Sequence, residues 1–326
     1  MHLAVLAIGI WLCPAALAQK PPERFWMAGR YDGDRVIVYF NAVHFRGTLP
    51  PSAKRIADPV VKGFYRPRQL AASYVAQFVA TPDAEHFSLG MKYDLILDYG
   101  HVATATLTTL VGTEGDEPVG NDSYIGALAS LDNKDDWMFM TGNGVYVLRR
   151  HVKAPNVQPK SAPTPETLYP GLEQGPVRFD IQTKIVGLLS DRMETTAKAN
   201  EKLGVADISP VVAVQEFRLA DGKLRYYARA VWNSGEGDSL KTVFALSGWI
   251  SPSPKLHILA VEERESGYNG LGTLPELCQV VDLEAGRTGI IVSRSYDDGA
   301  STVLMEYVDG ADLKNMRILQ ILESGE

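Results

Sequence analysis

The 326-residue sequence predicts a mainly β protein, built from antiparallel meanders in two pieces, with one long helix. Three observations predict it. Short runs rich in β-branched and aromatic residues recur along the chain. Asp-Gly and Asn-Gly dipeptides separate them, and both favour hairpin turns. A proline-rich stretch divides the strands near the middle, as expected for a chain long enough for about two domains. With 45% hydrophobic residues the chain can bury a core and is too apolar to be disordered. The net charge of −7 argues against nucleic acid as a partner, because phosphate neutralisation needs clustered cations. It argues equally against a polybasic membrane-surface protein.

Leu3 to Leu12 form an apolar run, followed by Pro14 and the small-residue pattern Ala16-Leu17-Ala18. This is the pattern of a secretory signal peptide cleaved after Ala18, and it predicts a secreted or periplasmic protein. The run is shorter than the roughly 20 residues that span a bilayer. No later segment is long and apolar enough to span one. Leu12 before Cys13 does not suit a lipoprotein anchor, which needs a small residue there. Cys13 leaves with the signal, so Cys278 remains alone and no internal disulfide is expected. It sits in the apolar run Leu277–Val281 and is expected to be a buried, inert thiol.

Residues 19–152 form the first piece. Strands are expected at Phe25–Tyr31, Arg35–Phe40, Tyr93–Asp98, Val102–Val111, Ser123–Leu131, Trp137–Thr141 and Val145–Arg149. Asp32-Gly33-Asp34 and Asn143-Gly144 supply turns. Gln69–Val79 fits a helical stripe and a strand equally well, and its periodicity cannot arbitrate. Residues 153–176 hold prolines at 155, 159, 163, 165, 170 and 176. Each removes a backbone donor and fixes φ, so the segment reads as an extended linker.

Residues 177–326 form the second piece, a helix followed by meanders. A helix is expected at about Ile181–Leu203, with Ile185, Leu188, Leu189 and Met193 on its apolar face. Asp180 is placed to cap its start and Gly204 to end it. Strands follow at Val211–Leu219, Lys223–Val231, Thr242–Trp249 and Leu256–Glu263, then at Cys278–Leu283, Gly289–Tyr296, Ser301–Val308 and Met316–Leu322. Alternation puts Tyr227, Arg229 and Val231 on one face and Tyr226, Ala228 and Ala230 on the other. Tyr226, Tyr227, Trp232, Trp249 and Tyr268 either fill a core or line a groove, and core filling is the commoner use.

Val281-Asp282-Leu283, then Gly286 to Val292, then Val303 to Tyr307 and Asp309-Gly310, resemble a blade of the FG-GAP type of β-propeller repeat. The resemblance covers about 45 residues. It implies a single β-propeller as the alternative architecture. In Asp282-Leu283-Glu284-Ala285-Gly286-Arg287 the later acidic ligands of that repeat's calcium loop are missing, and no repeat period of 40–50 residues runs through the chain.

The common catalytic signatures are missing: no G-x-S-x-G elbow, no Ser-x-x-Lys, no H-E-x-x-H and no phosphate-binding loop. His44, His86, His101, His151 and His257 show no ligand spacing and are expected to be surface or hydrogen-bonded structural residues. Acidic residues cluster after two strands. One cluster contains Asp116 and is followed by Asp122; the other contains Asp132, Asp135 and Asp136 and runs into Trp137. Grouped oxygen donors are a candidate Ca²⁺ site. An opposed pair of these carboxylates is a candidate acid and base for a sugar, with Trp137 stacking on the ring. The plainer alternative is that they are turn formers with solvated charge. The expectation is therefore an exported, non-catalytic binding protein for a protein or glycan ligand, without cofactor. The alternative is a secreted hydrolase that uses the loop carboxylates.

Overall fold

In the computed structural model the described residues are 25–32, 34–40, 45–46, 52–55, 67–75, 89–97, 101–113, 122–140, 146–150, 177–199, 209–234, 241–265, 274–283, 286–296 and 299–324. The expected signal peptide, the 153–176 linker, Asp116, Gly204, Tyr268, His44, His86 and His151 lie outside them.

The first sheet is assembled from β1 (Phe25–Asp32), β2 (Arg35–Tyr39), β3 (Phe45–Arg46), β4 (Lys54–Arg55), β5 (Arg68–Gln69), β6 (Lys92–Ile96), β7 (Val102–Thr113), β8 (Asp122–Leu131) and β9 (Tyr146–Arg150). All its pairings are antiparallel, and six of the strands pair in a cycle: β8, β2, β1, β9, β6, β7 and back to β8. Alternation turns one residue in two toward the inside. Trp26, Val38, Tyr93, Leu95, Leu107, Ile125, Tyr146 and Leu148 fill it, with small Ala28, Ala105, Ala127 and Ala129 between them. Trp26 meets Tyr93 edge to face, with ring centroids 6.0 Å apart.

One glycine is needed for this arrangement. A Cβ on Gly126 would run into the carbonyl oxygen of Val38 on the neighbouring strand. Only a residue without a side chain lets β8 approach β2 so closely.

Two expectations for this piece resolve differently. Gln69–Val79 is partly strand and partly helix: β5 is followed by the one-turn α1 (Ala72–Val75), which buries Val75. The described part of the strand expected at Trp137–Thr141, residues 137–140, is not a strand. Residues Lys134–Phe139 form a 3-10 helix instead. The Asn133 side chain accepts the Asp135 N–H, an N-cap that turns the chain just where β propensity alone would extend it.

α2 (Phe179–Ala199) begins two residues before its expected start. Asp180 therefore lies inside the first turn rather than at the cap, and pairs with Arg178 at 3.1 Å. Ile185, Leu189 and Met193 are buried. Each contributes about 1.5–3 kcal/mol by leaving water. Leu188 is only half-buried.

The helix covers one face of the second sheet, β10 (Val211–Arg218), β11 (Leu224–Ser234), β12 (Lys241–Ser251) and β13 (His257–Glu265), a simple antiparallel meander. Tyr226, Ala228, Ala230, Trp232, Phe244 and Leu246 face the helix. Phe217, Tyr227 and Trp249 face the other way.

The third sheet, β14 (Glu276–Asp282), β15 (Thr288–Tyr296), β16 (Gly299–Glu306) and β17 (Ile318–Ser324), lies against that second face. Its Ile290, Val292, Val303 and Met305 meet Phe217, Tyr227 and Trp249. Its opposite face, with Val281, Ile291, Leu304 and Leu322, packs on Phe25, Ile96 and Val147 from the outside of the first sheet. The layers therefore run helix, second sheet, third sheet, first sheet. The two four-stranded meanders stack face to face, which is not the radial arrangement of propeller blades.

Candidate functional site

Two carboxylates after β8, those of Asp132 and Asp136, are drawn into hydrogen bonds. Asp132 accepts from Lys92 Nζ at 2.5 Å and from Thr106 Oγ1 at 2.7 Å, tying the strand end to β6 and β7. Asp136 is buried, and its Oδ1 lies 3.0 Å from His101 Nε2 and 3.1 Å from the Asn133 amide nitrogen that donates to it. The His101 ring stacks on Phe139, with centroids 4.0 Å apart and planes 11° apart. Asp135 is exposed, and its backbone N–H is held by Asn133.

This arrangement fixes a short, stiff turn. At its tip Trp137 is 41% exposed and Met138 63% exposed. The other tryptophans among the described residues, Trp26, Trp232 and Trp249, are buried. An exposed aromatic on a loop is unusual enough to mark a contact surface when its backbone is also pinned.

Of the sequence-derived candidates, the structure thus brings Asp132, Asp135, Asp136 and Trp137 into one turn. Asp122 opens β8 opposite Arg46 of β3, at the other end of the strand. Asp116 lies outside the described residues. No group of three or more His, Cys, Asp or Glu side chains suited to a metal occurs among the described residues. Of the residues expected to supply oxygen ligands, Asp132 and Asp136 bond protein donors.

A second polar cluster, which the sequence did not reveal, lies between the second and third sheets. Arg225 is buried and grips Asp309 with two parallel bonds, Nε to Oδ1 at 2.9 Å and Nη2 to Oδ2 at 2.5 Å. Tyr307 donates to the same Asp309 Oδ1 at 2.8 Å. The Arg225 bonds hold the Asp309 carboxyl below its usual range, with Tyr307 adding to the effect against partial burial. Burial pushes the Tyr307 phenol up, and its bond to Asp309 pushes it further.

Further along the same layer the Tyr227 hydroxyl donates to the Pro275 carbonyl at 2.7 Å, and Lys314 pairs with buried Glu262 at 3.4 Å. The niche lined by Tyr227, Ser247, Trp249, Glu262 and Leu313 has no room for a water molecule. It is packed core rather than a substrate cleft. Asp309-Gly310 looked like an ordinary turn in the sequence, and nothing local indicates that its aspartate reaches an arginine 84 residues away.

Cys278 is partly exposed as a residue, but its thiol faces the layer between the third and first sheets. Burial and the nearby Glu276 push its pKa up to about 12. His257 contacts the carbonyl of Lys255 through Nδ1 at 2.7 Å.

These features define a mainly β protein of stacked antiparallel sheets, with one long helix and no helix among the described residues able to cross a membrane. No family model, no curated protein and no solved structure matches the chain.

Proposed function

We propose that the chain is an exported, non-catalytic binding protein whose contact element is the Lys134–Phe139 turn. The observation that carries this reading is the pinned exposure of Trp137 and Met138. The turn is held from below by Asp136–His101, Asn133 and the Phe139 stack, while Trp137 stays 41% and Met138 63% exposed. Such pre-organisation lowers the ordering cost of binding, and aromatic and methionine side chains are enriched in protein interfaces. Met138 extends the apolar surface beyond a single ring, which favours a protein partner over a sugar. The signal-like pattern of residues 1–18 supports a partner outside the cytosol.

A hydrolase using the same carboxylates is the weaker reading. Asp132 and Asp136 are committed to Lys92, Thr106, His101 and Asn133, so among the described residues these two carboxylates do not face each other as acid and base across a cleft.

Acrylamide quenching tests the binding reading, because Trp137 is the one exposed tryptophan among the described residues. An envelope-protein fraction from the producing cell is expected to shield the quenchable component in the wild type, and Trp137→Phe is expected to lack that component altogether. Unchanged quenching of the wild type at saturating fraction would end the proposal.

A further inference from the structure

β11 sends three side chains in succession into the layer between the second and third sheets: Arg225, Tyr227 and Arg229. The two arginines are treated very differently. Every nitrogen of the Arg225 guanidinium has a partner, with Asp309 on Nε and Nη2 and the Leu224 carbonyl on Nη1 at 2.7 Å. Arg229 makes a single 3.3 Å bond from Nη2 to Glu276, whose side chain is exposed, and its buried Nε has no hydrogen-bond partner.

Arg294 enters the same layer from β15, on the face that carries Ile290 and Val292. Its Nε and Nη2 are buried and also lack a partner. Arg229 bonds Glu276, and Glu276 pairs across the sheet with Ser293, the neighbour of Arg294, so the two arginines lie at the same end of the layer. Among the described residues Arg294 forms no salt bridge, while Glu276 is engaged by Arg229 and Glu262 by Lys314. A guanidinium cannot shed its proton to escape this situation. Buried charged donors left unsatisfied are costly, and an oxyanion supplies the acceptors that such groups lack. Exposed Glu276 and partly exposed Arg294 leave this rim within reach of solvent.

We propose that Arg229 and Arg294 form a binding site for a small oxyanion, a carboxylate or a phosphate, at the rim between the second and third sheets. The site is separate from the Trp137 turn, and its test does not depend on the binding reading above.

The test uses the full mature chain at pH 7 with inorganic phosphate in one arm and acetate in another, each against sodium chloride at matched ionic strength. A saturable rise in Tm of roughly 3–8 °C is expected at a hundredfold excess over Kd in at least one arm. The arm that responds identifies the anion. Arg294→Gln is expected to abolish the rise, and Lys184→Gln, on the exposed side of α2, to retain it. No rise beyond the chloride control in either arm, or an equal rise in Arg294→Gln, overturns the proposal. A second measurement needs no variant. The responding anion is expected to protect the peptides carrying Arg229 and Arg294 from phenylglyoxal at least several-fold while Arg178 and Arg287 stay reactive. Equal labelling with and without the anion also overturns it.

Discussion

Gln320 holds Phe25 by both polar groups of its backbone. Its Nε2 donates to the Phe25 carbonyl at 2.6 Å, and its Oε1 accepts the Phe25 N–H at 3.0 Å. A side-chain amide thus does for β1 what another strand would do, and joins the first strand to the last across 295 residues. Two further bonds reinforce the junction: Arg149 Nη1 to the Asp282 carbonyl at 3.1 Å, and Gln279 Nε2 to the Leu97 carbonyl at 3.4 Å. Gln320→Ala is expected to leave two backbone groups without their partner and to cost about 1–3 kcal/mol. Gln320→Glu keeps an acceptor for the N–H but sets a carboxylate oxygen against the Phe25 carbonyl, so it should also destabilise at neutral pH. Urea unfolding of the three proteins measures the difference.

The Arg225–Asp309 pair predicts acid sensitivity. Asp309 is held below its usual value of 3.8, first by the Arg225 bonds. A carboxyl whose folded pKa is depressed contributes stability that is present above its unfolded pKa and lost as pH falls through the folded one. The wild type should therefore lose stability below about pH 4, and Asp309→Asn should show a shallower acid slope. At neutral pH the variant leaves buried Arg225 without its counter-charge, at a cost of about 1–3 kcal/mol after allowance for Asp309's partial exposure. Tm measured from pH 3 to 7 on both proteins checks slope and offset together.

Cys278 should be nearly silent toward thiol reagents. With its pKa pushed to about 12 by burial and Glu276, the thiolate is scarce at pH 8. Reaction with a disulfide reagent in the native state is expected to be slower than in urea by ~100-fold or more. Equal rates would contradict the packed environment given to this side chain.

Gly126 should tolerate no side chain. Gly126→Val forces a branched Cβ against the Val38 carbonyl and is expected to cost about 2–4 kcal/mol or to prevent folding. Gly187→Ala, on the exposed side of α2 with open space around it, should instead leave stability unchanged or raise it by up to about 1 kcal/mol. Thermal melts of the pair separate the effect of close approach from that of glycine in general.

Much of the fold was legible because its strands are short, bounded by turns, and patterned by twos. The meander from β14 to β17 lies within a few residues of its expected strands, and the face assignment of Tyr226 against Tyr227 follows directly from alternation. What was not legible depended on partners distant in sequence. The cycle of pairings in the first sheet needs β2 to meet β8 and β6 to meet β9, which no local pattern encodes. The Trp137 segment carries strand-like residues, yet one capping bond from Asn133 turns it. β17 adds two bulges, at its pairings with Thr302/Val303 and Leu304/Met305, that let Leu319 and Leu322 both turn toward the first sheet. For the candidate site, the sequence found the acidic turn and its tryptophan but not His101 as the partner of Asp136. The two lie 35 residues apart and meet only once β7 and β8 are paired.

The most direct test of the account places a photoreactive side chain at Met138 and cross-links in the producing cell. Discrete adducts are predicted at this position, lost when Trp137→Ala is added and missing when the probe stands at Lys184. Equal adducts at both positions, adducts indifferent to Trp137, or purified protein whose turnover of a substrate vanishes with Asp132→Asn would contradict it.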